Sequence, residues 1–288
     1  MTGTDFVAVH AGNATLLLAP DVGGSVAAWT RAGEPIFRAP PVEGPGDLGA
    51  RALASYPLVP FSNRVANRCF DFSGKTYELP NLMNGFAIHG AGWQLPWTAT
   101  HEDNVGRMAL DFTPGPLWPF AFRAEQIFTL TENALVCTIS IENRHTAPAP
   151  AAIGLHPYFP RSPHTTLQFT AGDVWFGVIA DHRGPVPAEW DCSTARTIDT
   201  MTVDNCFNHW NGQARLAQPD RGYAIEMTAD PVFEHCIVFV PSGKDFCAIE
   251  PVSNMTDGLN RMDRETDHGI HVLAPGERLE GSVRFSLK

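Results

Sequence analysis

"AEQIFTLTENALVCTISIEN", residues 124–143, sets two alternating runs on either side of Thr131, Glu132 and Asn133. Apolar side chains recur at every second position, the period of a half-buried strand, and the polar residues between the runs suit a tight turn; the stretch predicts a β-hairpin. Runs of the same kind recur outward from it in both directions: "ATLLLA" (14–19), "SVAAWT" (25–30), "RMALDFT" (107–113), "TTLQFT" (165–170), "VWFGVIA" (174–180), "YAIEMTA" (223–229), "HCIVFVP" (235–241), "FCAIE" (246–250) and "GSVRFSL" (281–287). Gly, Pro, Asn or Asp bound nearly all of them. No long run carries a helical apolar period, so long helices are not expected. The Pro-rich patches at 39–45 and 114–119 read as loops, and no repeat or low-complexity linker divides the chain. The pattern predicts an all-β protein of many antiparallel strands in one continuous domain, residues 1–288.

Composition narrows what such a domain does. The 288 residues are 44% hydrophobic and 18% charged, with 25 Gly and 24 Pro, as in a folded, turn-rich chain. Net charge is −11, and the 20 Lys and Arg are scattered, which argues against a nucleic-acid partner and favours a neutral ligand such as a sugar over a phosphorylated one. The opening "MTGTDFVAVHAGNATLLLAP" lacks a basic segment followed by a long apolar one. No stretch anywhere reaches the roughly 18 apolar residues of a membrane span, so a cytoplasmic chain with no membrane partner is expected, a monomer or at most a weak dimer. Six cysteines without a C-x-x-C pair read as reduced, buried thiols. His268 and His271 stand three apart without an evident third ligand, so no metal is expected. There is no Gly-rich phosphate loop and no G-x-S-x-G elbow, and no cofactor is expected.

Four segments gather polar residues in apolar or turn-like surroundings: "PFSNRVANR" (60–68), "GFAIHGAGW" (85–93), "GLHPYF" (154–159) and "CAIEPVSNMTDGLN" (247–260). His156 closes an apolar run and is followed by Pro157, which favours an extended residue before it and removes the next ladder donor, so the histidine is expected at a sheet end. Glu250 closes "FCAI" and is followed by Pro251 in the same way. A satisfied core histidine and a solvated carboxylate are the ordinary fates of such residues; two of them fixed by a following proline suggest an acid and a base. His89 lies among Gly85, Gly90 and Gly92, where a ligand can approach closely or a turn is simply capped. Arg64 beside Asn63 offers a donor fork for hydroxyl oxygens, or a surface charge. Trp93 offers an aromatic face for a sugar, or core packing. "VDNCFNHW" (203–210) brings Asp204, Asn205, Asn208 and His209 together, either as a site or as an Asx-rich turn.

Taken in order, "SNRV", "IHGAGW", "LHPYF", "VDNCFNHW" and "IEPVSNMTDGLN" resemble the aldose 1-epimerase, or galactose mutarotase-like, family across about residues 55–260. The resemblance implies a large antiparallel β-sandwich, a supersandwich, with a sugar cleft over one sheet. It implies interconversion of the anomers of a free aldose, with Glu250 as base toward the anomeric hydroxyl and His156 as acid toward the ring oxygen. Arg64, His89 and Asp204 would hold the sugar, with Asn63, Trp93 and Tyr158 around it. The alternatives within the same fold are a hexose-6-phosphate 1-epimerase, for which Arg64, Arg68 and Arg161 are candidate anion ligands, and a non-catalytic carbohydrate-binding protein. Two departures stand out: His-Gly-Ala at 89–91 where His-Gly-Gly is usual, and Pro160 where an Asn often follows His-Pro-Tyr-Phe.

Overall fold

The structure is a computed structural model describing residues 6–288; the first five residues of the opening segment lie outside it. The hairpin of 124–143 is its centre. Phe122–Thr131 and Ala134–Asn143 pair from Thr131↔Ala134 to Phe122↔Asn143, so Glu132 and Asn133 alone make the turn. Around this hairpin a nine-stranded antiparallel sheet runs in the order Thr98–Glu102, Val105–Phe112, Phe122–Thr131, Ala134–Asn143, Arg278–Leu287, Tyr223–Ala229, Gln213–Gln218, Thr166–Phe169 and Arg196–Thr197. Burial alternates residue by residue along Phe122–Thr131, as expected when one face meets the core and the other meets water.

An eight-stranded sheet packs against it. Its path is His182–Gly184, Asp173–Phe176, Val203–Asn208, His235–Val240, Phe246–Val252, Gly154–Leu155 and Pro57–Leu58, and Tyr158–Pro160 also pairs with Phe246–Val252. Cys236, Val238, Val240, Cys247 and Ile249 face the nine-stranded sheet and share a core with Phe128, Ile139 and Phe285. Phe37 wedges between the layers, 5.1 Å from Phe285 and 5.3 Å from Phe159, both edge-on. The alternate residues Ile237, Ala248 and Val252 point the other way and pack with Tyr56, Leu58, Trp93 and Trp175 in a second cluster. This sheet is therefore apolar on both faces, which is why its strands read as unbroken runs.

The fold is the all-β architecture expected from the pattern and the sandwich implied by the resemblance, and the helices among the described residues are five short 3-10 turns. None is long and apolar enough to cross a membrane. All six cysteines are free thiols, five of them buried. Two expectations need correction. "VWFGVIA" is a strand only over Asp173–Phe176, because Gly177 and Ala180 take positive φ and turn the chain. Glu250 does not end its strand: Phe246–Val252 continues through Glu250 and Pro251, pairing Ile237↔Glu250 and Cys236↔Pro251.

Candidate active site

Pro251 is tolerated inside a strand because its other neighbour is broken there. The adjacent chain pairs at Gly154↔Val252 and again at Tyr158↔Ala248, and the ladder lapses between them, where Pro157 and Pro251 both lack an N–H. That register sets His156 opposite Glu250 on the outer face of the sheet. His156 Nε2 lies 3.1 Å from Glu250 Oε1, with both side chains almost fully buried. The His156 N–H donates to the Tyr56 carbonyl, and the Tyr56 and Tyr158 rings flank the imidazole at 4.5 and 4.4 Å between centroids. Tyr56 itself precedes Pro57. Three neighbouring strands thus deliver the residue before a proline to one place.

Beside the pair stands His89, its ring 5.4 Å from that of His156. Its backbone is left-handed, with φ 60°, and its N–H donates to the Asn63 carbonyl. The Asn63 N–H donates back to His89 Nδ1, which leaves the ring proton of the neutral imidazole on Nε2. The sharp turn needs Gly90: a Cβ there would lie 2.2 Å from the Val59 carbonyl oxygen. Asn63 Oδ1 accepts from the Arg64 N–H, and Arg64 Nη2 reaches Asp204 Oδ2 at 2.9 Å.

These groups open on one cavity of about 530 Å³, within the size range of small-molecule sites. His156, Glu250, His89, Asn63, Arg64, Asp204 and Tyr158 all line it, together with an apolar wall that includes Ile88, Ile237, Phe239 and Phe246. Trp93 does not: it stands behind the wall, its indole N–H donating to the Ile88 carbonyl. Within "VDNCFNHW", Asp204 alone faces the cavity. Asn208 bonds instead to Asp173 and His235, and His209 sits near Asp173 and Asp267, so most of that segment's polarity builds a separate network. Ala91 and Pro160, the two departures noted in the sequence, are buried and do not line the cavity.

Electrostatics follow from burial. Loss of solvent pushes the His156 imidazole well below its ordinary value, and His89 and Arg38 push the same way. Loss of solvent pushes the Glu250 carboxyl well up; Asp204 adds to this and Arg64 opposes it. Neither group favours a charge, so the pair holds a single proton between Nε2 and Oε1 as a neutral couple. His156 Nδ1 and Glu250 Oε2 are buried and have no hydrogen-bond partner among the described residues. Burial, with Arg64 and Arg51 nearby, lowers His89 to about 3 and keeps it neutral. Among the described residues no group of three or more His, Cys, Asp or Glu is arranged to hold a metal.

The profile of the aldose 1-epimerases matches residues 5–286. The chain belongs to the aldose 1-epimerase family. The uncharacterized YphB protein of Escherichia coli K12 is 32% identical over 273 residues, 89% of this chain and 90% of YphB. A solved structure from Escherichia coli K12 superposes with a TM-score of 0.90 at 30% identity, covering 99% of each chain. A galactose mutarotase-like protein of Clostridium acetobutylicum shares the fold at a TM-score of 0.84 and 19% identity, over 98% of this chain and 95% of that one.

Sequence reasoning about this family member missed Tyr56, Arg38, Arg51 and Lys244, all of which line the cavity. Tyr56 carried a readable signal, since Tyr56-Pro57 repeats the pattern of His156-Pro157 and Glu250-Pro251. The three cations lie in loops and a 3-10 turn, where no periodicity marks them. Two suggested anion ligands are elsewhere: Arg161 is bound to the carbonyls of Pro241, Ile198 and Lys244, and Arg68 stands outside the cavity.

Proposed function

We propose that the protein interconverts the α and β anomers of an aldose, with Glu250 and His156 moving the two protons. Ring opening removes a proton from the anomeric hydroxyl and delivers one to the ring oxygen. With the shared proton drawn onto His156 Nε2, the Glu250 carboxylate takes the first and His156 supplies the second; rotation about the C1–C2 bond and reclosure with the roles exchanged give the other anomer. The observation that carries this reading is the buried contact of 3.1 Å between His156 Nε2 and Glu250 Oε1 in the wall of a sugar-sized cavity.

A neutral couple sharing one proton suits such a reaction, because the proton moves between the two groups without a net charge entering a dry site, and a positioned acid or base contributes about 10²–10⁴-fold. His89, neutral with its proton on Nε2, is a hydrogen-bond donor to sugar oxygens, while Arg64 and Asp204 fix each other at the rim. Tyr158 flanks the acid. No step calls for a cofactor. Polarimetry on freshly dissolved α-anomers of glucose, galactose, xylose, arabinose, fucose and rhamnose, together with a hexose 6-phosphate and a hexuronate, tests the proposal. Accelerated approach to equilibrium with at least one aldose is expected, and no acceleration with any aldose, neutral or anionic, contradicts it.

A further inference from the structure

Arg51 lies in the 3-10 turn Gly46–Ala52 and lines the same cavity as His156 and Glu250. Its guanidinium is poorly satisfied. Nη1 has only the thioether of Met83, 3.2 Å away, Nε is buried with no hydrogen-bond partner, and no carboxylate lies within ion-pair distance among the described residues. Cζ lies 5.9 Å from the Trp93 ring. A weak sulfur acceptor and an orphaned Nε are a costly setting for a group with five strong donors, and such groups normally find oxygen partners.

The backbone of this turn is held from below. Arg38 donates to the carbonyls of Arg51 and Leu53 at 2.6 and 2.7 Å, and its own guanidinium stacks over Tyr158 at 3.8 Å and Phe246 at 4.7 Å. Arg38 is thereby committed, and Arg64 is neutralised by Asp204. Lys244 also lines the cavity, with no ion-pair partner among the described residues and Asp245 beside it in sequence. A chain of net charge −11 thus lines this one cavity with four cations against Asp204, Asp245 and Glu250, one of which is held neutral by burial.

Resting on the epimerase reading, we infer that the substrate is an anionic aldose whose oxyanion group, a phosphate ester or a carboxylate remote from the anomeric carbon, is bound by Arg51 with Lys244 in support. The planar fork of Arg51 matches either oxyanion bidentately, and the anion supplies the oxygen partners that the protein withholds from Nε and Nη1. Tyr56, stacked on His156 and 5.8 Å from Trp93, shares the wall of that cavity with Arg51 and the catalytic pair.

The test measures anomer exchange by two-dimensional NMR for a hexose, its 6-phosphate and the corresponding hexuronate, with the wild type, Arg51→Met and Arg51→Lys. Wild-type kcat/KM should favour at least one anionic sugar over the parent hexose by tenfold or more, and Arg51→Met should reduce that ratio tenfold to a hundredfold, mainly through KM, as expected for loss of a charge-assisted bond. Arg51→Lys should restore part of it. The phosphate and carboxylate arms distinguish the two sources of the anion. Should Arg51→Met fail to fold, the wild type alone decides: KM for the favoured anion should rise with ionic strength while that for the hexose stays flat. A wild type that prefers the neutral hexose, or an anion preference that survives Arg51→Met, overturns the inference and leaves the epimerase reading standing. No exchange of any sugar overturns both.

Discussion

The two large sheets are built from the same kinds of residue and bury them differently. In the nine-stranded sheet one face is wet, alternation is clean, and its buried polar groups serve structure: Gln126 donates to the Gly24 carbonyl. In the eight-stranded sheet both faces are covered, and it buries His156, Glu250, Asn208 and His235. Of these, His156 Nδ1, His235 Nε2 and Glu250 Oε2 have no partner. One sheet spends its polar residues on holding the fold; the other keeps ionisable groups dry and incompletely satisfied, at a cost in stability.

Substitutions in the two sheets should therefore separate activity from stability. His156→Ala is expected to lower kcat by about 10²–10⁴-fold, and the double variant with Glu250→Gln should be little worse than the poorer single one, since a pair that acts as a unit is non-additive. Equal and multiplicative losses would break the picture of a shared proton. In the other sheet, Phe128→Ala empties a fully buried site and should cost about 3–5 kcal/mol in urea unfolding, with exchange per folded molecule unchanged.

A smaller effect sharpens the contrast through pH. His89 is depressed to about 3 in the folded protein, below its unfolded value, so its contribution to stability is present above about pH 6.5 and is lost as pH falls toward 3. At about pH 4.5 His89→Gln should remove roughly 2 kcal/mol of the wild-type loss of stability between pH 7 and 4.5. A pH dependence of unfolding identical to wild type would show that His89 is not held neutral. The smallest effect belongs to the wet face: Asp111→Asn breaks an exposed pair with Arg123 and should change stability by less than about 1 kcal/mol.

How much of this was legible follows the same division. Alternation placed six strands of the nine-stranded sheet to within three residues at either end, because a half-wet face writes itself into the sequence, but Thr98–Glu102, Arg196–Thr197 and Gln213–Gln218 went unread. In the covered sheet the run "HCIVFVP" conceals which residues face which way. Ile237 and Glu250 share the cavity face only because Ile237↔Glu250 is the register, and the register comes from pairing partners distant in sequence. Pro251 read as a stop because a proline usually is one; the matching gap at Pro157 on the neighbouring chain lets the strand continue. Local context singled out His156, Glu250, His89, Asn63, Arg64 and Asp204, and the family resemblance supplied their roles; all of them line the cavity together with Tyr158, and Trp93 lies one layer deeper. Arg38, Arg51 and Lys244 could not be found that way, for they lie in loops and a 3-10 turn and reach the cavity only through the fold.

The central claim is that Glu250 and His156 exchange anomers through one buried proton, and anomer exchange at equilibrium measures it most directly. With the aldose that the wild type turns over fastest, Glu250→Gln should lose exchange by at least about a hundredfold while its unfolding midpoint stays at or above that of the wild type, because a neutral amide relieves the burial of a carboxyl. Exchange within a few-fold of wild type in the folded Glu250→Gln protein would contradict the account.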